Sequence, residues 1–282
     1  MHARHRYSDK SALIVTKHGK EQVIQPLLKW YLGMDAVPSI GFDTDQFGTF
    51  SGDIARTQGP KETVRKKCLS ALEQYSKTIG IATEGSFGAH PSSPFLAAHE
   101  EWMVFMDLEN KIEVYERKLS TTTVQFAKSF TTPTQAIDFL SSVDFPQQRV
   151  FIHAEEQLYR TAVYPNDLPE AIEVIKSLIA QREKCWITSD LRAHANPSRM
   201  KVIEGVTEKL INRLLTTCPS CSTLGYGREE VKRGLPCAQC HFPTSGIQAD
   251  IYVCAQCGHR EEKNESDYPK SQNPMYCLIC NP

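Results

Sequence analysis

Four Cys-x-x-Cys pairs crowded into the last 65 residues constrain this chain more than any other feature. They are Cys218/Cys221, Cys237/Cys240, Cys254/Cys257 and Cys277/Cys280. Fifteen residues lie between the first and second pairs and 19 between the third and fourth, spacings that suit zinc sites built from two such pairs. Two thiolates three residues apart on a tight knuckle reach one tetrahedral ion at about 2.3 Å, so eight cysteines complete two closed sites. Two structural zinc ions are therefore expected. Sequential pairing as tandem ribbons is the simplest arrangement, and a cross-braced one is the alternative. Disulfides are the competing reading. Residues 1–10 are polar and lack a hydrophobic secretion signal, and a chain kept in the cytoplasm holds its thiols reduced. His241 and His259 follow cysteine pairs closely, but the cysteines already complete both sites. These histidines are expected to bond sulfur or face solvent.

Charge narrows the partners. Lysine plus arginine (32) nearly cancels aspartate plus glutamate (33), leaving a net charge of -1 and no global attraction to polyanions or anionic membranes. No apolar run approaches the ~20 residues of a membrane span. From Cys218 to Pro282 six basic residues face seven acidic ones, a weak footprint for nucleic acid. A structural or protein-docking role suits the zinc segment better. At 282 residues and 40% apolar composition the chain has material for about two domains. The expected division is a frayed tail over 1–10, an α/β domain over 11–217, and a tandem zinc-ribbon module over 218–282.

Periodicity over the first 217 residues alternates between strand and helix. Apolar runs predict strands at Ala12–Thr16, Ile79–Thr83, Trp102–Met106, Ile112–Tyr115, Arg149–His153 and Cys185–Thr188. Helical stripes occupy Glu21–Leu32, the stretch after Pro60, Thr134–Leu140, Leu168–Gln181 and the stretch after Pro197. Pro60 and Pro197 suit a first helical position, with Asn196 as the cap before the second. This rhythm predicts an α/β fold with a mixed or mostly parallel sheet flanked by helices.

Four polar segments lie at element junctions: Thr16–Glu21, Asp43–Gly52, Glu84–Pro91 and Ser189–Pro197. In open α/β sheets ligands bind beyond the carboxyl ends of the strands, where three of these segments are predicted. Asp43, Asp45, Glu84 and Asp190 are the right residue types to hold Mg2+ through oxygen. Thr16, Lys17, His18, Lys20, Arg192 and Arg199 suit phosphate oxygens. His90 and His194 are candidates to move a proton near neutral pH. A cation clamp, basic side chains and an oriented water are what metal-assisted phosphoryl or pyrophosphoryl hydrolysis needs. Each segment also has a plain reading, with Asp43–Gly52 as a turn cluster and Glu100, Glu101 and Asp107 as solvated flanks of a strand.

The segments Thr16–Glu21, Asp43–Arg56, Glu84–Pro91 and Ser189–Met200, with the cysteine pairs through Pro282, resemble an uncharacterised bacterial domain-of-unknown-function family, number 6671. That resemblance implies no activity. The first ~115 residues are also similar to the inosine/xanthosine triphosphate pyrophosphatase superfamily. Thr16-Lys17-His18-Gly19-Lys20 resembles its phosphate loop, with His18 where asparagine is usual and the spacing shortened by one. Glu62-Thr63 with Lys67, and Ile81-Ala82-Thr83-Glu84-Gly85, resemble its next helix and strand. This second resemblance implies that Lys20 contacts phosphate and Glu84 holds Mg2+.

The resulting expectation is a cytoplasmic Mg2+-dependent phosphohydrolase acting on a nucleotide or another phosphorylated small molecule. The alternative is a non-enzymatic zinc-ribbon protein that binds a phosphorylated ligand, a protein or a nucleic acid.

Overall fold

A computed structural model describes residues 6–47, 58–155, 162–264 and 268–282, without the side chains of residues 45 and 46. Two compact units are present, one formed by 1–105 and 115–209, the other by 106–114 and 210–282.

The first unit opens with β1 (Ser11–Val15), α1 (Glu21–Leu32), β2 (Asp35–Pro38), α2 (Pro60–Gln74) and β3 (Ile79–His90). Ala12 to Val15 are all buried, as befits a strand covered on both faces in a parallel sheet. β1 pairs in parallel with β2 on one side and β3 on the other. β4 (Ser93–Asp107) and β5 (Ile112–Ser120) complete a sheet of order β2-β1-β3-β4-β5. Connections of two and four residues make β3–β4 and β4–β5 hairpins, so the sheet is mixed. The short edge strand β2 was not foreseen. Its four residues end in Pro38, which an edge tolerates because no ladder N–H is missed.

A second sheet of order β6-β8-β7 is antiparallel, built from β6 (Ala127–Phe130), β7 (Val150–His153) and β8 (Cys185–Ser189). Helices α3 (Pro133–Ser142) and α4 (Leu168–Arg182) accompany it, with Ala136, Leu140, Ala171 and Ile175 in one core with Val150, Ile152 and Ile187. Asp167 caps α4 by accepting the Glu170 N–H at 2.9 Å. Asn196 likewise accepts the Arg199 N–H at 3.0 Å and starts α5 (Pro197–Leu214). The cap expected at Asn196 is realised.

The second unit carries an antiparallel sheet of β9 (Gly227–Arg233), β10 (Ile247–Val253) and β11 (Arg260–Lys263). Four similar knuckles bear the cysteine pairs. In each, the N–H of the residue four positions on donates to the carbonyl of the first cysteine: Ser222 to Cys218, His241 to Cys237, Gly258 to Cys254 and Asn281 to Cys277, at 2.8–3.0 Å. No described helix is long and apolar enough to cross a membrane.

Candidate functional site

The chain's path through the first sheet marks one place for a ligand. From β1 the chain passes through α1 to β2 on one side, and it re-enters through α2 on the other side as β3. The connections after β1 and β3 thus run in opposite directions, which opens a crevice beyond their carboxyl ends. The β1–β3 ladder stops at Val15↔Ala82, and β3 continues beyond the end of β1 through Thr83, Glu84 and Gly85. The sequence expectation ends this strand at Thr83 and makes Glu84–Pro91 the junction after it. The structure instead carries the strand to His90, because β4 supplies a hairpin partner.

Alternation along β3 sorts the charges between the two faces of the sheet. Gly80 and Glu84 face α2. A Cβ on Gly80 would lie 2.8 Å from Leu72 Cδ2, and Glu84 forms a buried ion pair with Lys67 of α2. Thr83, Gly85 and Phe87 point the other way, toward Glu101 of β4. The Glu101 side chain is fully buried and collects donors from distant parts of the chain. Arg199 Nη2 lies 3.0 Å from its Oε2, and Arg199 Nε 3.2 Å from the same atom. Lys20 Nζ stands 3.4 Å from Oε1 and also bonds the Thr83 hydroxyl. His99 Nε2 is 2.8 Å from Oε2, and His99 Nδ1 meets the Thr123 hydroxyl at 3.0 Å. Phe87 stacks on His99 with centroids 4.4 Å apart. Gly85 leaves the space this cluster fills: a Cβ there would come within 2.5 Å of both Arg199 Nη2 and Glu101 Oε2.

Burial alone would raise the Glu101 carboxyl. Arg199 first, then Lys20 and His99, outweigh burial and hold it well below the usual carboxylate range. Burial pushes the Lys20 ammonium down to about 8, against the pull of Glu101. On this face Lys20 and Arg199 stand against a single carboxylate, leaving one surplus positive charge.

The expected site residues divide accordingly. Lys20, Arg199 and Thr16 belong to the crevice, with the Thr16 hydroxyl accepting the Lys20 N–H at 3.3 Å. The Thr16–Glu21 and Ser189–Pro197 loops meet, since the rings of His18 and His194 lie 5.2 Å apart. Burial first, then Arg192, lowers the His194 pKa below its ordinary 6.5. Lys17 faces outward and donates to Asp43 at 2.9 Å. Both residues line an open cleft of about 500 Å3 beside β1 and β2. With Glu21 also on its wall, that cleft carries two carboxylates to one ammonium and is poorly suited to an anion. Asp190 is buried and gripped by Arg192, with Nε 3.0 Å from both carboxylate oxygens. Arg192 also lies over the rings of Phe151 and Tyr164.

His90 stands at the far end of β3 and accepts the Ser92 N–H at 3.2 Å in the hairpin turn. Six residues of strand place it about 20 Å from Glu84, too far to share the crevice. The Asp45 side chain and the stretch from 48 to 52 lie outside the described residues. Among the described residues, the carboxylates expected to hold Mg2+ do not fit a cation clamp, because Asp43 is paired with Lys17, Glu84 with Lys67 and Asp190 with Arg192. The sequence reading gave no site role to Glu101, His99, Thr83 or Gly85. For His99 and Glu101 the signal is the inward alternation of His99, Glu101, Met103 and Phe105 on β4, all fully buried.

Among the described residues, the side chains placed to converge on one ion are two sets of cysteines. Cys218 and Cys221 gather with Cys254 and Cys257; Cys237 and Cys240 gather with Cys277 and Cys280. The sites are therefore cross-braced, first pair with third and second with fourth, rather than sequential. Closest sulfur–sulfur separations are 3.6–3.8 Å, close to the ~3.8 Å edge of a tetrahedron with arms of about 2.3 Å. Both sets fit zinc. The His259 ring lies 5.9 Å from Tyr226 and replaces no ligand.

A family model described as Domain of unknown function (DUF6671) matches residues 67–282. The matched span includes Lys67, Glu84, Glu101, Arg199 and all eight knuckle cysteines, and begins after Lys20 and Asp43. No curated protein matches the chain, so the similarity to the inosine/xanthosine triphosphate pyrophosphatases gains no support there.

Proposed function

Because the chain belongs to this domain-of-unknown-function family, which assigns no activity, we propose from the geometry that its α/β unit binds a phosphorylated small molecule, such as a nucleotide, at the β1–β3 crevice. One observation carries this reading. Residues as distant as Lys20, Thr83, Glu101 and Arg199 converge at the strand ends with two cations to one carboxylate. A surplus positive charge in a largely dehydrated place favours an anion there more strongly than it would in water. Lys20 and the Arg199 guanidinium are the groups to meet phosphate oxygens, and Glu101 holds both in place. Recognition is favoured over Mg2+-assisted hydrolysis because Asp43, Glu84 and Asp190, the candidate metal-binding carboxylates among the described residues, already have basic partners. The zinc segment, with nearly balanced charge, suits a structural or protein-facing role.

Isothermal titration calorimetry on the zinc-loaded full chain tests the reading, with phosphate, pyrophosphate and nucleoside mono-, di- and triphosphates as probes. Binding of a phosphate-bearing probe, weakened about tenfold or more in Lys20→Met, corresponds to a loss of at least ~1.4 kcal/mol and supports it. Absence of binding across the panel refutes it. Pyrophosphate or phosphate release in the presence of Mg2+ would show that hydrolysis also occurs.

A further inference from the structure

Large apolar side chains are concentrated around the second cysteine cluster. Phe242, Met275, Tyr276, Leu278 and Ile279 all stand within two residues of one of its four cysteines, and they are 46%, 61%, 61%, 79% and 59% exposed. A zinc ion and four thiolates need no such residues to close. The surroundings are nearly uncharged: from Leu235 to Gly246 and from Tyr268 to Pro282 the one charged side chain is Lys270. This environment disfavours nucleic acid and anionic lipid, which select for basic patches. Exposed apolar groups on this scale mark an interaction surface.

We propose that this face pairs with the same face of a second copy of the chain. A two-fold contact brings one patch onto its own equivalent, and apart from the metal centre the only charged side chain within these two stretches is Lys270. Lys270 also has the sign opposite to the formal negative charge of a zinc ion held by four thiolates. At roughly 200 Å2 for a fully exposed residue of this size, the five side chains offer on the order of 600 Å2 per copy. Pairing would then bury about 1,200 Å2, the lower edge of specific, stable interfaces. A dimer that forms with concentration is therefore expected, not a permanent one.

Sedimentation equilibrium of the zinc-loaded full chain across the micromolar range tests this. The expected result is a weight-average mass that climbs from 31.8 kDa toward twice that value. A Leu278→Glu/Ile279→Glu double variant, and separately Phe242→Lys, should stay at the monomer mass while retaining both zinc ions by elemental analysis. A wild-type chain that remains monomeric at every concentration overturns the proposal. So does association that persists in both variants with their zinc intact, because another surface would then be responsible.

Discussion

Arg199 on α5 forks onto Glu101 on β4 across 98 residues of chain, and neither side chain is more than 2% exposed. The pair joins β4 to the start of α5 and packs against Gly85 of β3, the position where no side chain fits. It places a charge centre inside the α/β unit that is stable only while every partner is present.

Replacing Glu101 by glutamine leaves Lys20 and Arg199 buried without a counter-charge. Breaking a buried pair from one side costs about 3–5 kcal/mol. Urea unfolding should show a loss of that order, and a loss below ~1 kcal/mol would mean that the cations relax to solvent.

Gly85→Ala puts a methyl group against the guanidinium and the carboxylate. Overpacking of this kind costs about 1–3 kcal/mol. Gly88, on the same strand, has open space where its Cβ would go, so Gly88→Ala should stay within about 0.5 kcal/mol of wild type. Melting temperatures of the two variants give the comparison, and equal effects would count against the crowded cluster.

The pH dependence has two limbs. Lys20 releases its proton near 8 in the folded chain and near 10.5 when unfolded, so between these values the unfolded chain binds more protons. The contribution of this group to stability therefore rises with pH through that window. Relative to Lys20→Met, the wild type should gain stability from pH 8 toward 10.5, while phosphate affinity falls as the ammonium discharges. Glu101 acts at the acid end. Its folded pKa is depressed, so the stability it contributes is present above about 4.5 and declines as pH falls below that value. Glu101→Gln should flatten the acid limb in a pH series of denaturant midpoints.

Cross-bracing makes the two zinc sites interdependent. Each site spans a stretch of chain that contains ligands of the other, with β9 and β10 between them. Cys237→Ser is expected to lower the zinc content from two ions toward none, because binding is coupled to folding. Elemental analysis that finds one ion retained, with an unchanged circular dichroism spectrum, would show that the sites fold separately.

Much of this architecture is legible in the residues because it rests on local rules. Helix starts follow from Pro60, Asp167 and Asn196-Pro197, and the zinc ligands from the knuckle spacing. The strands β9 and β11 escape such reading because Gly-Arg-Glu-Glu-Val-Lys-Arg and Arg-Glu-Glu-Lys show almost no apolar alternation. The cross-strand ladder, not burial, holds them. Glu101 was hidden for a different reason. Beside Glu100 it looks like a second solvated carboxylate, and only a guanidinium 98 residues away makes its burial tolerable. Asp43 and Asp190 mislead in the opposite sense: as carboxylates near strand ends they suggest a cation, yet Lys17 and Arg192 nearby already neutralise them. Lys20 and Arg199 were legible as basic groups at strand ends, whereas their shared carboxylate was not.

The alternation of ligand pairs also determines how the C-terminal segment responds to cleavage when its ions are bound. A protease cut anywhere between Cys221 and Cys277 leaves the two pieces tied through at least one metal, and a cut between Cys240 and Cys254 leaves them tied through both. Sequential ribbons would separate at that central point into two free modules. Nicked protein should therefore migrate intact on a native gel and fall apart only when a chelator is added.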